Sequence, residues 1–430
     1  MPVMTLTLVG ICVILFLLGT PIAVSLGLAS FLSVAIFKPV PDLMILPQLF
    51  SEASVSFTML AVPLFILVGN LMERGTIGRR LIDWVNSFTS WMTGGLGVVN
   101  TVASMIFGGI SGSSLADTAT FGTILVPRMV DEGYDRDYSG AITMTTSTLS
   151  VIIPPSILMV LAAAACNQSV SRALAAGVGP GIMLTLLFLV PNYIICKKHG
   201  YGTKKPFVFK VFLEKSKSCL TAIIAPLIVL VSIFSGAVTP TEGAAIAVLY
   251  ILIVDGLIGR NLSLKDLWHC CLKTAELTSV ILFIATSGAL LNYVLNFEGI
   301  PLLLRNLLTS VPGGKVGFML TIILIMICIG MTMDASPASI IFSPLFMPAA
   351  LELGIDPSHF LIVLIFGLAL GLTTPPYGVC IFSTASITGI PMQKLIKAAL
   401  PFYLILIAGY LLVAFVPEIS TGIPTILGLG

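Results

Sequence analysis

Charge is what this chain has least of. Acidic and basic side chains make up 9% of its 430 residues, where a soluble globular chain carries about 25%. That scarcity excludes an ordinary water-soluble domain. The net charge is only +2, so the broad basic surface that nucleic acid needs is missing. Histidine is scarce and scattered, as His199, His269 and His359, and the eight cysteines contain no C-x-x-C. A zinc cluster therefore has no sequence support, and the adjacent Cys270 and Cys271 do not supply one. No H-E-x-x-H occurs, and Gly112-Ser113-Ser114 has no histidine close by to act as a base. An enzyme is not expected, and no cofactor is called for. There are no alternating segments of about ten residues, as a β-barrel would need. The N-terminus lacks a basic leader region, and apolar sequence continues past Pro21. The first apolar stretch is therefore expected to stay as a span.

Apolar residues, by contrast, make up 57% of the chain, and the mean hydropathy is +1.10. Since about 20 apolar residues cross a bilayer, the expected fold is an all-α polytopic membrane protein. Spans are expected near 3–19, 22–37, 57–73, 138–172 and 177–196, then 219–235, 243–258, 276–296, 360–388 and 398–417. Two further apolar stretches, 95–131 and 316–351, are interrupted by small polar residues and read as re-entrant hairpins.

One pattern recurs at a spacing of 221 residues. Gly109, Phe121, Pro127, Gly133, Asp135, Pro154, Pro155 and Pro180 fall on Gly330, Phe342, Pro348, Gly354, Asp356, Pro375, Pro376 and Pro401. Paired interruptions of apolar segments in corresponding halves point to a secondary transporter and to its binding site. The halves are expected as 1–196 and 218–430, joined by a basic linker, 197–217. The first holds scaffold helices in 1–73, an interfacial arm at 81–92, the hairpin 95–131 and a broken helix 138–172. The second holds scaffold helices in 219–296, an arm at 301–311, the hairpin 316–351 and a broken helix 360–388.

Basic residues orient the halves. With the linker inside, Lys197, Lys198, Lys204, Lys205, Lys210, Lys215 and Lys217 are joined there by Arg74, Arg79, Arg80, Arg128, Arg136, Arg260, Lys265, Lys273, Lys394 and Lys397. Only Lys38, Arg172, Arg305 and Lys315 fall outside, in keeping with the positive-inside rule. Both termini are then outside. Five crossings per half is an odd number, so the second half is expected upside down relative to the first.

Each Pro-Pro pair breaks a helix at membrane depth, where irregular backbone survives only if it is buried in protein or lines a cavity. The break frees carbonyls for a hard cation. It also begins a half-helix whose positive end and free N–H groups suit an anion, with Pro155 and Pro376 expected at its first position. The hairpin tips read Gly108-Gly-Ile-Ser111-Gly-Ser113-Ser114-Leu-Ala-Asp117-Thr118 and Gly330-Met-Thr332-Met-Asp334-Ala-Ser336-Pro337-Ala-Ser339. Hydroxyl, carbonyl and carboxylate oxygens are what hard cations choose. Ser111, Ser113, Ser114, Pro154, Thr332, Asp334, Thr373 and Pro375 are the candidate ligands of a hard cation. Ser113, Thr146, Ser156, Asp334, Ser336 and Thr374 are the candidate substrate contacts. A structural reading stands beside this one. Ser114-x-x-Asp117 resembles a capping box, and Asp334 or Ser336 before Pro337 resembles a helix cap. Thr239-Pro240-Thr241-Glu242 reads as a capping box, and Arg172 as an ordinary helix-end charge. A channel would instead show a continuous polar pore, whereas polarity here gathers at two points.

These stretches, with Ile153-Pro-Pro-Ser156, Thr239-Pro-Thr-Glu242, Leu353-Gly-Ile-Asp-Pro357 and Thr374-Pro-Pro-Tyr-Gly378, resemble the large membrane subunit of tripartite ATP-independent periplasmic (TRAP) transporters of the DctM/SiaM type. The resemblance implies a bacterial inner-membrane protein that takes up an organic acid with sodium by an elevator movement. The acid would be a C4-dicarboxylate, a sialic acid or another sugar acid. A periplasmic binding protein would deliver it, and a small four-helix membrane subunit would complete the complex. Gly367 stands where related chains often carry asparagine, and Ser150 where a glycine is common.

Overall fold

The computed structural model describes residues 3–39, 43–55, 57–74, 77–203 and 205–429. Lys204, counted above among the inner cations, lies outside the described residues. Among the described residues every regular element is helical. The first half runs α1 (Val3–Leu17), α2 (Ile22–Phe37), α3 (Ile45–Ser54), α4 (Ala61–Arg74), α5 (Ile77–Thr89), α6 (Gly95–Ser111), α7 (Ser114–Asp131), α8 (Arg136–Thr146), α9 (Leu149–Ile152), α10 (Ile157–Ala165) and α11 (Val170–His199). The second runs α12 (Phe209–Phe234), α13 (Pro240–Ile251, with a π-helical continuation Leu252–Ile258), α14 (Leu264–Phe297), α15 (Ile300–Thr309), α16 (Lys315–Thr332), α17 (Ala335–Glu352), α18 (Pro357–Leu372), α19 (Val379–Thr388), α20 (Met392–Phe415) and α21 (Glu418–Ile426).

Five of these, α11, α13 with its π turn, α14, α16 and α20, are each long and apolar enough to cross a membrane. Two bent helix pairs reach that length only when each is counted as one element: α8–α9 meets α10 at 43°, and the halves of α12 meet at 57°. The protein is a polytopic helical membrane protein. α7 and α17 are each 18 residues long, and their first residues stand 221 apart.

Polar side chains start many of these helices. Ser113, Asp135, Ser156, Ser169, Asp334 and Asp356 each accept a backbone N–H of the helix that follows. Thr239 with Glu242 and Ser263 with Asp266 form complete capping boxes. A cap of this kind contributes about 1 kcal/mol. α18 is buried from Ser358 to Leu372. A helix apolar all round belongs in the interior, and α18 packs against α16, α17, α9, α10, α11 and α20.

Several boundaries differ from the sequence reading. The segment 197–217 is not mainly a linker: α11 runs to His199 and α12 begins at Phe209. Lys197, Lys198 and His199 in the last turn of α11 complement the negative helix end, and Gly200 at φ 68 closes it. The first broken span stops at Ala165, because Ser169 caps α11 and starts it at Val170 instead of 177. α14 starts at Leu264 instead of 276 because of its capping box. The short helices α3 and α21 were not foreseen.

Candidate functional site

The first hairpin tip lies against the first break. Gly112 (φ 59) ends α6, and Ser113 caps α7 by accepting the Ala116 N–H at 3.4 Å. Ser114 Oγ donates to the Ser147 carbonyl at 2.8 Å, which ties α7 to the helix before the break. Gly109 comes so near Pro154 that a Cβ there would lie 2.7 Å from the Pro154 carbonyl oxygen. Beyond the cis Pro154-Pro155 bond, Ser156 caps α10 and donates to the Val151 carbonyl at 2.7 Å. Pro155 is therefore not the first residue of the half-helix; Ser156 turns the chain into Ile157. Ser111, Ser113, Ser114, Pro154 and Ser156 thus share one locus.

The second locus repeats the layout with more exposure. A Cβ on Gly330 would lie 2.5 Å from the Leu368 carbonyl oxygen, so α16 and α18 touch backbone to backbone. Asp334 caps α17 through the Ser336 N–H at 2.9 Å. Pro337 therefore sits in the first turn, at its third position, where it sacrifices no helix bond. Asp334 and Ser336 are half-buried, whereas Thr332 is exposed and bonds the Cys328 and Ile329 carbonyls of its own helix. Thr373 and Thr374 both donate to Leu370 carbonyl oxygen, at 3.0 and 2.6 Å. Tyr403 donates its hydroxyl to the Thr373 carbonyl. Pro375 is half-buried, and Pro376 and Tyr377 are exposed. α19 starts at Val379, so Pro376 does not begin it either.

The two loci are interlocked. α10, which follows the first break, packs on α17 of the second hairpin; α19, which follows the second break, packs on α7 of the first. α9 also touches α18, so the helices leading into the two breaks meet. Cys380, in the first turn of α19, is fully buried beside Ser147 and Thr118. α19 therefore starts beside polar groups of the first half. Its free N–H groups suit a carboxylate, and the surrounding hydroxyls and carbonyls suit a hard cation. No hydrogen bond among the described residues links a candidate of the first tip directly to one of the second.

The structure adds a buried polar cluster behind the first tip. Asp117, wholly buried, accepts the Ser104 hydroxyl at 2.9 Å. It is not the closing half of a capping box, because the helix cap falls on Ser113 and the carboxyl group points across the hairpin to α6. Ser104 Oγ lies 3.4 Å from Thr146 Oγ1, which donates to Asn100 Oδ1 at 3.0 Å; Asn100 in turn donates to Thr143 at 2.6 Å. Thr146 belongs to this cluster. The signal was present in sequence as spacing: Asn100 and Ser104 are one helical turn apart, as are Thr143 and Thr146. Arg172, taken for an ordinary end charge, reaches the second half and pairs with Asp356 at 2.6 Å.

A family model described as the DctM component of the tripartite ATP-independent periplasmic transporter matches residues 9–419. The chain belongs to that family. The match runs through both hairpins and both breaks of this DctM-family chain. It is 36% identical over 405 residues to the C4-dicarboxylate TRAP transporter large permease protein DctM of Pseudomonas aeruginosa, covering 94% of this chain and 95% of the relative. It is 30% identical over 376 residues to the sialic acid TRAP transporter large permease protein SiaM of Vibrio cholerae, covering 87% and 88% of the two chains. Its fold resembles the crystal structure of the Alcanivorax borkumensis YdaH transporter, with a TM-score of 0.64 at 17% identity, over 98% of this chain and 99% of that one.

Proposed function

We propose that this DctM-family chain is the large transmembrane subunit of a sodium-coupled secondary transporter that imports an organic acid. The observation that carries the reading is the exchange between halves, in which each half-helix packs on the hairpin of the other. Two broken segments then bound one polar region from opposite sides, and one anion can meet both half-helix ends. Each end carries about half a positive charge. Ser113, Ser156, Asp334, Ser336, Thr146 and Thr374 are assigned to the substrate. Ser111, Ser113, Ser114 and the Pro154 carbonyl form one candidate sodium site; Thr332, Asp334, Thr373 and the Pro375 carbonyl form the other.

The two halves are read as inverted repeats, with both termini on the outer side of a bacterial inner membrane. Elevator movement draws support from the ends of the hairpins. Arg128, on α7, pairs with Asp83 of the arm helix α5 at 3.4 Å. Glu352, on α17, pairs with Arg305 of the arm helix α15 at 2.8 Å. Exposed pairs of this kind contribute only about 0.2–1 kcal/mol, so they can break and re-form as a unit slides. The substrate class is a C4-dicarboxylate, a sialic acid or another sugar acid, in line with what the relatives carry. A periplasmic binding protein delivers it, and a small four-helix subunit completes the complex.

The test is uptake into proteoliposomes. Accumulation is expected only with a sodium gradient, the small subunit and a loaded binding protein together. Uptake that persists without sodium at fixed pH would refute the coupling, and flux without any binding protein would favour a channel.

A further inference from the structure

The basic face of the protein also exposes large apolar side chains. α12 bends by 57° between Phe209–Leu220 and Ile223–Phe234. Its second half carries the apolar run of the span; its first half leaves that axis and lies along α5. The contact is narrow. Phe212, Lys215, Ser216 and Cys219 recur at helical spacing and are the least exposed residues of this half. The Phe212 ring meets Phe88 edge-on at 6.1 Å, Trp84 Nε1 donates to Ser216 Oγ at 3.0 Å, and Lys215 pairs with Asp83 at 2.9 Å.

The rest of the segment faces outward in two strips. At about 100° per residue, Phe209, Leu213 and Leu220 fall together beside the α5 contact, and Lys210 and Lys217 fall together on the next face. Phe209 is 65% exposed, Leu213 46% and Leu220 56%. Lys210 and Lys217 are exposed, as is Arg79 on the neighbouring α5. Among the described residues none of these three cations has an ion pair. Water is a poor partner for the apolar strip, and Glu214, one turn from both lysines, is the one acidic side chain on this half of α12 and forms no ion pair with them among the described residues. A helix with an apolar strip flanked by lysines lies in the plane of a bilayer surface. Basic residues near an anionic surface each strengthen attachment about fivefold.

We infer that α5 and the first half of α12 form a platform that binds the phosphates of anionic phospholipids through Arg79, Lys210 and Lys217, with Phe209, Leu213 and Leu220 in the acyl boundary. The complementary charge and the bend out of the span axis identify a leaflet as the occupant. The Asp83–Arg128 pair joins the same platform to the C-terminal end of α7. The proposal needs only that this face meets a bilayer; it does not depend on the substrate, on sodium or on which side is inside.

The purified full chain, reconstituted in nanodiscs of phosphatidylcholine with or without phosphatidylglycerol, tests it. Native mass spectrometry is expected to show phosphatidylglycerol retained over phosphatidylcholine. The triple variant Arg79→Ser, Lys210→Ser, Lys217→Ser is expected to weaken that retention roughly a hundredfold. Amide exchange over 209–220 should slow in phosphatidylglycerol discs, and adding inorganic phosphate to phosphatidylcholine discs should leave it unchanged. Equal exchange in both lipids, or retention by the triple variant equal to the parent's, overturns the inference. Protection by inorganic phosphate alone overturns it too, by assigning the cations to a free anion. Should the triple variant fail to fold, Leu213→Ser, which keeps every charge, is expected to lose the exchange difference on its own.

Discussion

At Asp334 one carboxylate oxygen accepts the Ser336 amide at 2.9 Å, yet the side chain remains half-exposed at the tip. Capping and cation binding can be separated there by substitution. Asp334→Ala is expected to lower stability by about 1 kcal/mol through loss of the cap and to abolish uptake. Asp334→Asn keeps a good cap, so its thermal midpoint should stay near the parent's while uptake is still lost. If Asp334→Asn transports normally, the residue is only a cap. Asp266 supplies a pH prediction at the other end of the chemistry. α14 has 34 residues, and at about 1.5 Å each it outruns a hydrocarbon core of about 30 Å; its charged residues, Lys265, Asp266, Lys273 and Glu276, all lie in the N-terminal part, so that is the end that stands in the aqueous boundary. There the Ser263 hydroxyl, the Arg74 guanidinium and the Ser263 amide hold the Asp266 carboxyl down to about 2. A lowered carboxylate contributes stability that is present above its ordinary value of 3.8 and is lost as pH falls from there through about 2. The stability gap between parent and Asp266→Asn, followed by thermal unfolding, should therefore shrink over that window and be steady above it. These roles were only partly legible in sequence. Asp334 as cap or ligand was visible, but the partner of Asp117 was not, because Ser104 lies on the other arm of the hairpin.

Helix starts were legible at some capping side chains, as at Thr239 and Asp334, and missed at others, as at Ser169 and Ser263. They were misjudged at the breaks, where Pro155 and Pro376 look like first helical residues but the helices begin at Ile157 and Val379. Proline announces an interruption without saying how many residues the chain needs to turn. Close approach of elements is another feature that spacing hides. Gly330 and Gly371 face each other across α16 and α18, and a Cβ on Gly371 would lie 2.5 Å from the Gly330 carbonyl carbon. Backbone cannot give way as a flexible side chain can. Gly371→Ala is expected to cost about 1–3 kcal/mol by overpacking, whereas Gly10→Ala, with nothing within 4 Å of the new methyl group, should be neutral. Thermal unfolding in detergent compares the two.

Across the whole molecule the two loci are unequal. The first tip and break are mostly buried, while Thr332, Pro376 and Tyr377 of the second stand exposed. If sodium joins both, replacing it with choline should raise amide exchange at 111–114 and 332–335 together, and the second region should respond more. Exchange unchanged at both would remove these residues from the sodium sites. The sequence by itself determined the membrane class, the paired interruptions 221 residues apart and most of the polar residues near them, because hydropathy, proline and glycine act locally. Only the tertiary structure decided which interruption meets which hairpin. The packing of α10 on α17 and of α19 on α7 joins residues at least 170 positions apart. No local propensity encodes such a pairing; it follows from how buried faces and backbone contacts fit when all the helices pack at once.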